Sequence, residues 1–138
     1  MSAYKIDHIG VAVASIDGAL SAYAALGLHP AHREEVAGQH VRTAFLPVGG
    51  SSIELLEPTS EDSPVAKFLA KRGGGVHHIC FAVEDIDATL RELTNRGFRL
   101  IHSSPVPGAR GKRVAFLHPE AANGVLIELS QDPSGGQR

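Results

Sequence analysis

Two histidines and two glutamates stand at matched places along this chain. Asp7-His8-Ile9-Gly10-Val11-Ala12-Val13 aligns with His77-His78-Ile79-Cys80-Phe81-Ala82-Val83 at an offset of 70, and Ile53-Glu54-Leu55 aligns with Ile127-Glu128-Leu129 at an offset of 74. Imidazole nitrogen and carboxylate oxygen together form a ligand set that suits divalent Co, Mn, Ni, Fe or Zn. If a pseudo-twofold axis relates the halves, His8, Glu54, His78 and Glu128 converge on one point, and two octahedral positions stay free for substrate oxygens. Taken singly, each residue has an ordinary explanation: a strand histidine is commonly a hydrogen-bonded core residue, and a strand glutamate a salt-bridged acid. A carboxylate turned to the inside of a sheet is nevertheless costly unless it is paired or bound to a cation. Repetition of the same costly pair in both halves favours the metal.

These residues need elements to position them, and the elements repeat as well. Ile16 and Ile86, Asp17 and Asp87, Leu20 and Leu90, Gly27 and Gly97 continue the first match without a gap, and Arg42-Thr-Ala-Phe-Leu46 faces Arg113-Val-Ala-Phe-Leu117 at an offset of 71. Each half therefore reads as strand, helix and three strands, an α+β pattern with modules at about 4–58 and 75–131, a connector at 59–74, and one domain over 1–138. Tyr4 to Val13 alternates as a half-buried strand does. Ser15 caps a helix from Ile16 to about Leu26 that ends at Gly27, and Asp85 and Gly97 bracket its twin from Ile86 to Arg96. Gly49-Gly50 and Asn123-Gly124 signal turns between the last two strands of each half. The connector enters a short helix through Pro64 and leaves it at Gly73-Gly74-Gly75. On the first strand of each half one face carries histidine and small residues (His8, Gly10, Ala12; His78, Cys80, Ala82), while the other is bulky and packs on the helix. The last strand of each half is expected to include Val125 beside Ile127 and Leu129 in the second. His77 points to the other face and reads as structural or as a support behind the ligands. His29, His32, His40, His102 and His118 read as solvated surface residues, and Cys80 as a small core residue.

Composition narrows the function classes. A net charge of −2 with interspersed acids and bases lacks the basic surface of a nucleic-acid binder. No apolar run approaches the roughly 20 residues that span a bilayer, and the first residues do not read as a signal segment, so the chain is expected in the cytoplasm. The single Cys80 fits a reducing compartment. The tail from Asp132 to Arg138 is expected to be loose.

With these residues in hand, the chain resembles the vicinal oxygen chelate superfamily over nearly its whole length. Within it the resemblance is to the methylmalonyl-CoA epimerases, through Asp7-His8-Ile9-Gly10, Glu54-Leu-Leu-Glu-Pro-Thr59, Ser63-Pro-Val-Ala-Lys-Phe-Leu69, Gly75-Val-His-His-Ile79, Phe116-Leu-His-Pro119 and Gly124-Val-Leu-Ile-Glu128. The resemblance implies paired βαβββ modules forming a cup-shaped mixed sheet around a divalent metal, cobalt first among Co, Mn, Ni, Fe and Zn. It matches His8, His78 and Glu128 to ligand positions, and Glu54 to a place that carries glutamine or glutamate. It further implies an acyl-CoA substrate and a homodimer.

The implied reaction removes a proton from the carbon between a thioester and a carboxylate and returns one on the opposite face. Metal chelation would stabilise the enolate, and two acid/base groups would complete the inversion. Glu128 is the candidate for one of these groups and Glu54 for its pseudosymmetric partner. Some bacterial members carry a glutamate where this chain has Thr43, in Gln39-His-Val-Arg-Thr43; a threonine hydroxyl is no base at neutral pH, though it can orient a water. CoA phosphates require cations, for which Lys71, Arg72, Arg110, Lys112 and Arg113 are candidates. The rival readings are a glyoxalase I-like lyase, and a non-enzymatic antibiotic-binding protein of the bleomycin type, whose members generally lack the metal ligands.

Overall fold

The computed structural model describes residues 3–133. Its elements are β1 (Ala3–Ala12), α1 (Ile16–Ala25), β2 (His32–Val36), β3 (Val41–Val48), β4 (Ser51–Pro58), α2 (Pro64–Arg72), β5 (Gly75–Val83), α3 (Ile86–Asn95), β6 (Val106–Pro107), β7 (Arg113–Leu117) and β8 (Ile127–Gln131). This is the βαβββ order of the sequence repeat, written twice around a connecting helix. The strands are ordered β2-β3-β4-β1 in the first half and β5-β8-β7-β6 in the second, mixed in direction, with β1 parallel to β4 and β5 to β8. The chain divides into two compact units, His8–His77 and Met1–Asp7 with His78–Arg138. The connector thus goes with the first repeat, and the first seven residues with the second. The expected tail falls, beyond Pro133, outside the described residues.

In the unit His8–His77 the bulky face of β1 packs on α1 as expected. Ile16, Ala44, Leu46 and Leu55 are fully buried there, with Val11, Val13, Leu20 and Tyr23 against them, and each such large apolar side chain contributes about 1.5–3 kcal/mol. Ser15 Oγ accepts from the Gly18 amide at 3.1 Å. A second restraint on the helix start comes from far along the chain: the Ile16 amide donates to Glu57 Oε1 at 2.8 Å, while Arg42 Nη1 donates to Glu57 Oε2 at 2.6 Å. One carboxylate from β4 thereby satisfies an otherwise orphaned amide of α1. Helix α2 is capped by Ser63, whose hydroxyl accepts from the Val65 amide at 3.1 Å. It lays Val65, Phe68 and Leu69 over Ala12, Val41 and Leu56. These last residues share the histidine-bearing face, so α2 covers one end of the face that alternation along β1 leaves open. Gly74 follows because the chain passes so close to β1 that a Cβ would stand 3.3 Å from the Ala12 carbonyl oxygen.

The second unit repeats the scheme. Val83, Ile86, Leu90, Ala115, Leu117 and Leu129 form its core. Asp85 Oδ1 accepts from the Ala88 amide at 3.0 Å, and Gln131 Oε1 takes the Ile86 amide at 2.8 Å, as Glu57 does for Ile16. Two differences from expectation stand out. β6 has two residues where β2 has five, because Pro105 and Pro107 remove ladder donors. Between β7 and β8 the chain makes a 3-10 turn over Pro119–Ala122, with Asn123 in the left-handed region, so β8 begins at Ile127 and Val125 is exposed outside it.

Candidate metal centre

Strand register builds the same motif in each unit. Gly10 on β1 stands opposite Glu54 on β4, so Glu54 lies diagonally across from His8 on the same face. Cys80 on β5 stands opposite Glu128 on β8 and gives His78 the same diagonal. The outcome is two matching contacts: His8 Nε2 is 2.9 Å from Glu54 Oε1, and His78 Nε2 is 3.0 Å from Glu128 Oε1, with all four side chains at most 7% exposed. Phe45, paired with Glu54, sets its ring edge-on to His8 at 5.6 Å, and Phe116, paired with Glu128, does so to His78 at 5.5 Å. These aromatic edges pack against each imidazole and make its surroundings apolar, which strengthens any charge interaction there.

Two buried carboxylates bring two negative charges, and each half supplies one nitrogen and one oxygen. Adjacent ligands bonded at about 2.1 Å and at right angles to one another lie about 3.0 Å apart. The two His–Glu separations match that edge. The donor set fits a divalent cation in charge, atom type and spacing within each half.

The remaining candidate residues take the following places. His77 is half-buried with its ring 5.0 Å from Phe68, a structural place as expected, and Cys80 is fully buried. Thr43 is buried and its hydroxyl donates to the Glu34 carbonyl oxygen at 3.3 Å. Of the five cations considered for phosphates, three are already in ion pairs. Arg110 Nη2 and Lys112 Nζ reach Asp7 at 2.9 and 2.7 Å, Lys112 also reaches Asp132 at 3.0 Å, and Arg113 chelates Asp87 at 2.9 and 3.1 Å. Lys71 and Arg72, exposed at the end of α2, are the remaining two, with Arg72 stacked over Phe68 at 5.5 Å. Burial is the largest influence on the Lys112 ammonium and pulls its pKa down. The hydrogen bond and charge of Asp7, together with the Asp132 hydrogen bond, outweigh burial and the repulsion from Arg110, and hold the pKa above the ordinary lysine value.

Three of the five histidines read as surface residues also make side-chain contacts, His32 while exposed and His102 and His118 while half-buried. His32 bonds Glu34 Oε1 through Nε2 and lies against Phe45. His102 Nδ1 accepts from the Phe116 amide at 3.1 Å, and His118 Nδ1 from the Glu120 amide at 3.1 Å. His32 and His102 are themselves 70 apart. That offset, and the offset of 71 between the two Arg-x-Ala-Phe-Leu segments, is the signal that ties His32, His102 and the two phenylalanines to the site's surroundings.

Residues 7–116 match the Glyoxalase/Bleomycin resistance protein/Dioxygenase superfamily. The chain is 40% identical over 130 residues to the ethylmalonyl-CoA/methylmalonyl-CoA epimerase of Cereibacter sphaeroides, covering 92% of this chain and 97% of that one. It is 36% identical over 129 residues to the human mitochondrial methylmalonyl-CoA epimerase, covering 92% of this chain and 73% of the relative. Among solved structures, a point variant of the Streptomyces coelicolor methylmalonyl-CoA epimerase in complex with 2-nitronate-propionyl-CoA superposes with a TM-score of 0.94 at 40% identity, covering 99% of this chain and 100% of that one.

Proposed function

Since the chain belongs to the Glyoxalase/Bleomycin resistance protein/Dioxygenase superfamily, we propose that it is a metal-dependent methylmalonyl-CoA epimerase, inverting the carbon between thioester and carboxylate. The observation that carries this reading is the pair of equivalent, buried His–Glu contacts, 2.9 and 3.0 Å long, in a chain that resembles named epimerases from end to end. His8, Glu54, His78 and Glu128 would together hold one divalent ion, with cobalt first among Co, Mn, Ni, Fe and Zn. Such an ion supplies Lewis-acid stabilisation of the charge that develops on the thioester oxygen.

The protein's own part is to hold the acyl group and move protons. Glu128 is assigned one of the two acid/base roles; Glu54, its equivalent in the repeat, is the partner that symmetry suggests. Phe45 and Phe116 line the two imidazoles and exclude water from them. Lys71 and Arg72 are left as exposed cations to meet the phosphates of an acyl-CoA. Cytoplasmic placement and a homodimer complete the proposal: a buried free thiol at Cys80 suits a reducing compartment. No helix among the described residues is long and apolar enough to cross a membrane.

The test is deuterium uptake from heavy water at the alpha carbon of methylmalonyl-CoA, read by mass spectrometry on cobalt-loaded and chelator-stripped protein. Rapid uptake only with metal is expected, and Glu128→Gln should fold normally and lose about 100-fold or more in rate, the usual weight of a general acid/base. Absence of uptake by fully cobalt-loaded protein refutes the assignment.

A further inference from the structure

Inversion requires a proton acceptor on each face of the carbon. With Glu128 assigned to one face, the first repeat must supply the group for the other, and Thr43 cannot be it: its hydroxyl is no base at neutral pH and already donates to a backbone carbonyl.

The register of β2, β3 and β4 shows which group is available. Glu34 on β2 stands opposite Thr43 on β3, which stands opposite Leu56 on β4. One step along, His32 stands opposite Phe45, which stands opposite Glu54. Residues in register across a sheet share a face, so Glu34 and His32 lie on the face that carries His8 and Glu54. Glu35 and Glu57 alternate to the other face, and Glu57 is already committed to α1 and Arg42. Glu34 is thus the other carboxylate on this face among the described strand residues of the unit.

Glu34 is half-buried, and His32 Nε2 bonds its Oε1 while the His32 ring rests against Phe45. The carboxylate is therefore oriented. It stands one strand beyond Thr43, about 4.8 Å further along the face, and its longer side chain recovers part of that step. The repeat does not demand this arrangement. Val106 holds the equivalent place in the second unit, opposite Val114, the counterpart of Thr43.

We propose that Glu34, oriented by His32, is the second acid/base residue of the epimerisation, leaving Glu54 as a ligand. This rests on the epimerase reading above. For one epimer the alpha C–H bond breaks, its proton passes to the Glu34 carboxylate, and its electron pair moves into the thioester to give the enolate. A proton from Glu128 on the opposite face then forms the new C–H bond. The other epimer runs the steps in reverse, so the two carboxyls recover their protons by exchange with water and nothing is consumed.

Each epimer, supplied alone to cobalt-loaded protein in heavy water, is the test. Wild type should exchange and invert both. Glu34→Gln should lower inversion at least about 100-fold, abolish exchange from one epimer, and leave the other exchanging without inversion, with cobalt affinity and melting temperature unchanged; Glu34→Asp should restore part of the rate. Glu54→Gln should instead weaken cobalt binding and slow both epimers alike. Unchanged inversion in Glu34→Gln, or an equal loss of exchange from both epimers, overturns the assignment of Glu34 while wild-type exchange keeps the epimerase reading. No exchange by wild type overturns both.

Discussion

Asp7 offers the sharpest physical test of how the second unit is held. Its side chain is 4% exposed and receives two cations, Lys112 at 2.7 Å and Arg110 at 2.9 Å. These contacts fix the turn over Ala109–Gly111, in which Arg110 takes a left-handed conformation with φ of 59°. Breaking a buried pair by removing one partner costs about 3–5 kcal/mol. Asp7→Asn should fall below that range. The amide keeps one acceptor, Lys112 retains Asp132 at 3.0 Å, and Arg110 is 29% exposed and partly hydrated. About 2–3 kcal/mol is the expected cost, and at about 3–4 °C per kcal/mol for a chain of this size the midpoint should drop by about 6–12 °C. Calorimetry and urea unfolding at neutral pH, in chelator and in cobalt, would measure it. A double-mutant cycle with Lys112→Met isolates the pair. A loss under about 0.5 kcal/mol, or an additive cycle, would refute the view that this cluster is an energetic anchor.

Two further outcomes follow from the same contacts. Lys112 has its pKa raised on folding, so its contribution to stability is fully present below the ordinary lysine value near 10.5 and is lost as pH climbs through the higher folded value. Base-induced unfolding above pH 10.5 should therefore be shallower in Lys112→Met than in wild type, a difference visible in urea midpoints across that range. Isothermal titration with cobalt should give one site per chain, with affinity falling at least about tenfold in His8→Ala and in His78→Ala alike, since the two His–Glu pairs are equivalent; a loss in only one variant would contradict a shared ion.

Much of this was legible in the sequence because the repeat carries its own confirmation. Offsets of 70, 71 and 74 brought β1, β3 and β4 into correspondence with β5, β7 and β8, and with them both His–Glu pairs. Helix limits followed from Ser15, Asp85 and Pro64, whose chemistry is local. Contacts that join distant segments by side chain alone were not legible. Nothing in a sequence says that Asp7 meets Lys112, more than a hundred positions away, or that Glu57 reaches the Ile16 amide. His32 is exposed, as read, but the face it shares was not legible: a residue at the start of a five-residue edge strand looks like loop until pairing with Phe45 fixes that face.

The grip of Glu57 on α1, mirrored by Gln131 on α3, bears on how such a chain could arise. In each case the last strand of a half reaches back to the first turn of that half's own helix, so the segment brings with it the acceptor its helix requires. A stretch of this kind can be copied whole by a single duplication, and the second copy arrives with its helix already tethered. Selection is then free to act on positions that the tether does not use. Glu34 against Val106, Thr43 against Val114 and Leu56 against Ser130 record where the twins have since parted.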